Sequence, residues 1–283
     1  MTQTVSRTAP LDGADVALKA RHRATWALGD YDRVVRDMVS PLGPVLVEAA
    51  GITAGDRVLD IAAGSGNASI PAALTGAQVT AQDLVPELLA AGQRRAADQR
   101  LDITWETGDA EALPYADASF DVVISCLGVM FAPHHEVAAG ELLRICRTGG
   151  TIGLLSWTPR GFIGQMFATM KPYAPPPPPD STPPPRWGDE AHVRELLGDG
   201  VTDVRAETRT LRVTCWATPE EFRKFFKSYY GPTITVYRAI GADRERADAL
   251  DRELADLAHR FNCGTDTLVV DCEYLVLTAR RAG

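Results

Sequence analysis

Between Arg57 and Trp157, short β-branched apolar runs alternate with longer Ala- and Leu-rich amphipathic segments. This alternation is how a parallel sheet wound with helices reads. Strands are expected at RVLDIA (57–62), AQVTAQ (77–82), DITWET (102–107), FDVVISC (120–126) and GTIGLLSW (150–157), with helices near 67–75, 86–100 and 135–147. The strand runs are apolar on both faces, as burial between two helical layers requires. One connection differs, since GDAEALPYADAS (108–119) reads as loop. Two later strand patterns, at 201–215 and 267–281, have helical patterns between them and complete a seven-stranded, mostly parallel α/β sheet with helices on both faces.

The chain divides into an N-terminal helical segment (1–50), a core (51–160), a Pro-rich insertion with a helix (161–200), and the last two strands with a helical cap at 215–262. Within KPYAPPPPPDSTPPPRWG (171–188), proline excludes helix and internal strand, leaving loop or polyproline II. It reads equally as a lid over a pocket and as a surface insertion. Trp187, just beyond the prolines, is either a packing anchor or a substrate contact.

The glycine turn is the first chemical signal. VLDIAAGSGNASIPAA runs from the first strand through Gly64 and Gly66 into a helix, offering free N–H groups and close backbone approach to a ligand. Dinucleotide dehydrogenases share such a turn, but their third glycine would fall at Ser69. Asp83 ends the second strand about twenty residues past the turn, where a carboxylate can accept from both ribose hydroxyls. It can also cap the helix that opens at Pro86. The third signal is GDAEALPYADASFDVV, with Asp109 directly after the third strand.

VLDIAAGSGN, the acid in AQDL, GDAEALPYADASFDVV and ELLRICRTGG occur in an order that resembles the class I S-adenosylmethionine methyltransferases, in the group related to ubiquinone and menaquinone C-methylases. The resemblance implies a Rossmann-like fold with a small cap, S-adenosylmethionine as cofactor, and methyl transfer to a small molecule. By that resemblance Asp60 supports the glycine loop, and Ala62, Gly64, Gly66 and Asn67 line the methionine portion. Asp83 and Leu84 hold the ribose, and Asp109, Ala110 and Glu111 meet the adenine. Ser125 and Cys126 flank the adenine and the donor sulfur. Ala62 departs from the usual first glycine, and Thr148 stands where proline is common. RATWALGDYDRV (23–34) resembles a segment that closes over the methionine end, which brings in Trp26 and Tyr31; the other reading is a helix packing Trp26 into the core and ending at Gly29.

Composition narrows the substrate. A formal charge of −8 with scattered basic residues disfavours nucleic acid and anionic membranes. Arg far outnumbers Lys, and Ala, Asp and Pro are abundant, a bias of GC-rich bacterial genomes. The five cysteines form no C-x-x-C pair, so neither disulfides nor a metal site is expected, and a reducing cytoplasm fits. No signal-peptide or bilayer-spanning run is visible, and a homodimer is left open.

For the chemistry itself, His134 and His135 follow the fourth strand and are candidate bases, though both could instead begin the next helix. His22, His192 and His259 sit in polar helical surroundings and read as surface residues. Met130, Phe131, Trp187, Phe226, Tyr229 and Tyr230 are candidate substrate contacts. The last three belong to an aromatic stripe after Thr218-Pro219 that reads as core or as pocket wall, and the pocket reading implies an apolar or aromatic acceptor. A nicotinamide-dependent oxidoreductase, a non-catalytic S-adenosylmethionine-binding protein and a protein methylase are the competing readings.

Overall fold

The computed structural model describes residues 13–177 and 181–283. What the sequence suggests for 1–12 and for 178–180, in the middle of the proline run, lies outside the described residues. An N-terminal helix α1 (Gly13–Trp26) leads to a short α2 (Tyr31–Val34) that widens into a π turn at Val35–Val39, and then to α3 (Leu42–Ala50). The Rossmann-like part follows in order: β1 (Arg57–Ile61), α4 (Ser69–Leu74), β2 (Gln78–Asp83), α5 (Pro86–Asp98), β3 (Ile103–Thr107), β4 (Phe120–Cys126), α6 (His135–Ile145) and β5 (Cys146–Trp157). Next come α7 (Phe162–Met170), α8 (Glu190–Leu197), β6 (Val201–Val213), α9 (Pro219–Tyr229), α10 (Gly231–Ile240), α11 (Arg244–Phe261) and β7 (Val270–Arg281).

The seven strands lie in the order β3-β2-β1-β4-β5-β7-β6. β7 runs antiparallel to both its neighbours, whereas the pairs among β1 to β5 are parallel. The chain winds outward from β1 to β3 and re-enters beside β1 as β4, so the loops leaving β1 and β4 diverge. The carboxyl end of such a switch point is where open α/β sheets bind ligands. Between the layers Leu46, Leu59, Ile61, Val123, Ile124, Ile152 and Leu155 are completely buried.

β5 begins at Cys146, directly after α6, rather than at Gly150. Its register against β4 shifts between Phe120 and Val122, and Gly149 has φ +70, so the Arg147–Gly150 stretch is absorbed as an irregularity. Sequence pattern reads such a stretch as loop because its residues lack apolar period. Among the described residues no helix is long and apolar enough to cross a membrane.

Candidate active site

The glycine turn is tied down by acids on both sides. Asp83 accepts from the Gly64 N–H at 2.7 Å through Oδ2 and from the Val85 N–H at 2.9 Å through Oδ1. It therefore fastens the turn and the entry to α5 at once. Burial pushes its pKa up to about 6, opposed by those backbone hydrogen bonds. Asp60, one strand over, accepts from the Ser69 hydroxyl at 2.6 Å, so the serine in place of a third glycine anchors α4 to β1. Its Oδ1 is buried without a partner among the described residues, and burial raises its pKa to about 7.

Ala62 occupies the left-handed region at φ +51, a conformation that costs a non-glycine residue about 1 to 2 kcal/mol. Its methyl group has room because residue 128 is glycine: a Cβ on Gly128 would lie 2.1 Å from the Ala62 carbonyl oxygen and 2.7 Å from the Ala62 Cβ. The glycine missing from the first turn is thus matched by one on the facing loop. Ser125 fixes that loop, donating to the Ile61 carbonyl at 2.7 Å and accepting from the Val129 N–H at 2.8 Å.

Beside the turn lies a cavity with about 790 Å³ of empty space, open to solvent on one side. One end is polar. Gln82 and Asp109 line it, and the Gln82 side-chain nitrogen and oxygen and Asp109 Oδ2 are buried without partners among the described residues. Asp109 Oδ1 is engaged by the Lys19 ammonium at 3.0 Å, and the same ammonium reaches Glu111 at 2.5 Å. Glu111 in turn accepts from the His134 backbone at 2.7 Å and meets His134 Nδ1 at 2.8 Å. Burial alone would raise the Glu111 pKa, but the bonds from Lys19 and His134 outweigh it and hold the carboxyl below its usual value. Asp15, Glu111 and His134 have metal-ligand spacing, yet Lys19 already supplies a cation to this cluster.

The other end is aromatic. Trp26, Tyr31 and Phe131 line it, with Trp26 edge-on to Tyr31 at 5.3 Å, to Phe131 at 4.6 Å and to Tyr230 at 5.5 Å between ring centroids. A second, smaller and tighter cavity adjoins it and shares the walls Tyr31, Leu127 and Phe131. Its remaining lining is Val34, Met38, Val39, Trp157, Ile163, Phe226 and Tyr230. The roof is sewn together across the chain. The Asp30 N–H donates to the Tyr229 carbonyl at 3.1 Å, Gly29 bridges Tyr230, and the Arg33 guanidinium lies 5.2 Å from the Tyr229 ring.

Residues 59–154 match the methyltransferase domain family. An uncharacterized protein of Mycobacterium tuberculosis is 51% identical over 267 residues, covering 94% of this chain and 96% of its own. A demethylmenaquinone methyltransferase of Renibacterium salmoninarum is 42% identical over 108 residues, 38% of this chain and 44% of its own. In fold, the chain is similar to phosphoethanolamine N-methyltransferase 2 of Haemonchus contortus, solved with phosphomonomethylethanolamine and S-adenosylhomocysteine: TM-score 0.55, 17% identity, 85% of this chain and 52% of that one. The chain carries a methyltransferase domain.

In this methyltransferase the cofactor candidates Trp26, Tyr31, Ala62, Gly64, Asn67, Asp83, Leu84, Asp109, Ala110 and Cys126 all line the larger cavity. Asp60, Gly66, Glu111 and Ser125 do not; they stand behind its wall. Gly66 is needed for space, because a Cβ there would come within 2.7 Å of Trp105. Phe131, Phe226 and Tyr230 line the smaller cavity, whereas Met130 and Trp187 are buried away from both. Trp187 is a packing anchor, its ring 5.4 Å from that of His135. Tyr229 faces Arg33 on the outside of the roof.

Neither candidate base faces a cavity. His134 is the N-cap residue of α6, turned to Glu111. His135 is 2% exposed, with Nδ1 3.0 Å from Nε2 of His192; burial and that neighbour hold its pKa down to about 4. The aromatic stripe serves both roles assigned to it: Phe222 packs with Trp216 and Phe162 in the core, and Phe226 and Tyr230 reach the smaller cavity. Lys19, His22 and Gln82 line the larger cavity and are missed by sequence reasoning. His22 reads as a surface residue, yet burial holds its pKa below the ordinary value. His192 is likewise half-buried. For Gln82 a usable signal existed, since it immediately precedes Asp83 at the end of β2.

Proposed function

We propose that this methyltransferase moves a methyl group from S-adenosylmethionine to a small apolar or aromatic molecule. The observation that carries the reading is the pair of adjoining cavities, one with unpaired polar atoms among the described residues at its far end, the other lined by aliphatic and aromatic side chains without a charged group. The residues fit the cofactor. Asp109 Oδ2 and both polar atoms of the Gln82 amide lack partners among the described residues, matching the donors and acceptors on an adenine edge. Asp83 has capacity beyond its two backbone bonds to accept ribose hydroxyls. When bound, the cofactor supplies an electrophilic methyl group on a sulfonium.

The chain's own part is positioning and exclusion of water, which is where an in-line displacement gains most. Tyr31 lies over the glycine turn, within 3.5 Å of where a Gly64 Cβ would stand, and Trp26 and Phe131 close the space beside it. Leu127 and Phe131 stand at the junction of the two cavities, where acceptor and donor have to meet.

The nicotinamide reading is disfavoured by charge. A pyrophosphate at the turn would find the Gly64 N–H already bonded to Asp83, and the cavity's one lysine drawn to Asp109 at the far end. The test is incubation with methyl-labelled S-adenosylmethionine and the small-molecule fraction of a bacterial extract. Label entering an extractable apolar product is expected. Binding of S-adenosylhomocysteine with no label transferred to any fraction would instead mark a non-catalytic binding protein, and label entering protein would mark a protein methylase.

A further inference from the structure

The smaller cavity holds no carboxylate, imidazole, ammonium or guanidinium among its lining residues. Its ring-bound polar groups include two phenols, Tyr31 and Tyr230, with ring centroids 6.3 Å apart. Tyr230 is 4% exposed, and neither hydroxyl makes a hydrogen bond among the described residues. Neither hydroxyl is fully enclosed by protein atoms, so each stays accessible to a ligand in the adjoining cavities. Burial raises the pKa of both phenols, so both stay protonated and act as donors rather than as bases. The two histidines that could have served as base, His134 and His135, are engaged elsewhere.

We propose that the smaller cavity is the acceptor site, that Tyr31 and Tyr230 donate to an acidic oxygen of an otherwise apolar acceptor, and that the acceptor brings this oxygen already ionised. The inference rests on the reading of S-adenosylmethionine as methyl donor. An ionised phenol, enol or carboxylic acid has released its proton to water before binding. Its oxygen lone pair forms the new O–C bond as the S–C bond breaks, and that bond's electrons return to sulfur, giving a neutral thioether and a neutral ether or ester. No proton remains to be taken, so a pocket without a base suffices. The two O–H donors hold and orient the anion, and the apolar walls select the ring or chain that carries it.

The titratable groups around the two cavities bear on the pH behaviour. Tyr31, Tyr230 and Cys126 all have raised pKa values through burial, while Asp83 reaches about 6. Lys19, His22 and Asp109 face the far end of the larger cavity, and Arg33, Asp32, Arg36 and Asp37 pair on or near the outer side of α2. Above the Asp83 transition the pH response should therefore follow the acceptor's own acidity.

The test uses the whole protein with S-adenosylmethionine and four matched probes: 2-naphthol, the more acidic 6-cyano-2-naphthol, 2-naphthylamine and 2-naphthalenemethanol. Methylation of the two naphthols alone is expected, with the pH midpoint of kcat/KM lower for the cyano compound. Tyr230→Phe should reduce that kcat/KM about tenfold or more, as loss of a hydrogen bond to a charged group does, while leaving S-adenosylhomocysteine affinity unchanged. Three results would overturn the proposal: methylation of the amine or the benzylic alcohol as fast as the naphthols, one pH midpoint shared by both naphthols, or no naphthol methylated by protein that binds S-adenosylhomocysteine. Failure to bind S-adenosylhomocysteine would instead remove the donor reading beneath it.

Discussion

Asp83 carries two jobs on one carboxylate: it fastens the glycine turn through Gly64 and faces the cavity where a ribose would lie. Asp83→Ala should weaken S-adenosylhomocysteine binding by about 1.5 to 3 kcal/mol, roughly ten- to a hundredfold, as for other lost charged hydrogen bonds. Because folding raises this carboxyl to about 6, affinity in the parent should also fall as pH drops through that value, and the step should vanish in Asp83→Asn. Titration calorimetry across pH reads both, and an unchanged affinity in the alanine variant contradicts the assignment. Asp60 makes a separate point about stability. Its raised pKa, about 7, means the folded chain holds a proton there that the unfolded chain has lost. The resulting stabilisation is full at acid pH and disappears as pH rises through about 7. Asp60→Asn should therefore melt above the parent at about pH 8, with the difference fading toward about pH 5. A variant that melts lower at both ends would show that the ionised carboxylate is favoured in place.

Elements that repeat a clear period were legible in the sequence: the five strands of the parallel part and helices α5 and α6 lie within a few residues of their expected positions. The lining of the larger cavity was legible where a motif sits on a strand end, as at Gly64, Asp83 and Asp109. It was not legible on α1, whose polar residues follow no strong apolar stripe, because Lys19 finds its partners ninety or more positions away at Asp109 and Glu111. Long-range pairing of that kind leaves no local pattern. His135 and Trp187 misled for the opposite reason, since buried packing and catalysis both draw on such side chains. Lys19, 8% exposed, anchors α1 to the polar end of the cavity. Replacing it by Met should leave Asp109 and Glu111 without their cation and weaken S-adenosylhomocysteine binding several-fold or more. Equal affinity in Lys19→Met would mean that α1 merely leans on the site.

At the scale of the molecule, one sheet edge collects the turn after β1, the acids after β2 and β3, and the loop after β4. The N-terminal helices and the α9–α10 cap then meet above it, joined through Gly29, Asp30, Tyr229 and Tyr230. Segments about two hundred positions apart in sequence thus form one roof, and a ligand that fills the cavity beneath it should stabilise the whole fold by mass action. The most direct test of the account is calorimetric titration of the protein with S-adenosylmethionine, S-adenosylhomocysteine and NADH, which requires no knowledge of the acceptor. Micromolar binding of the first two and none of the third is the predicted result; binding of NADH alone would contradict it.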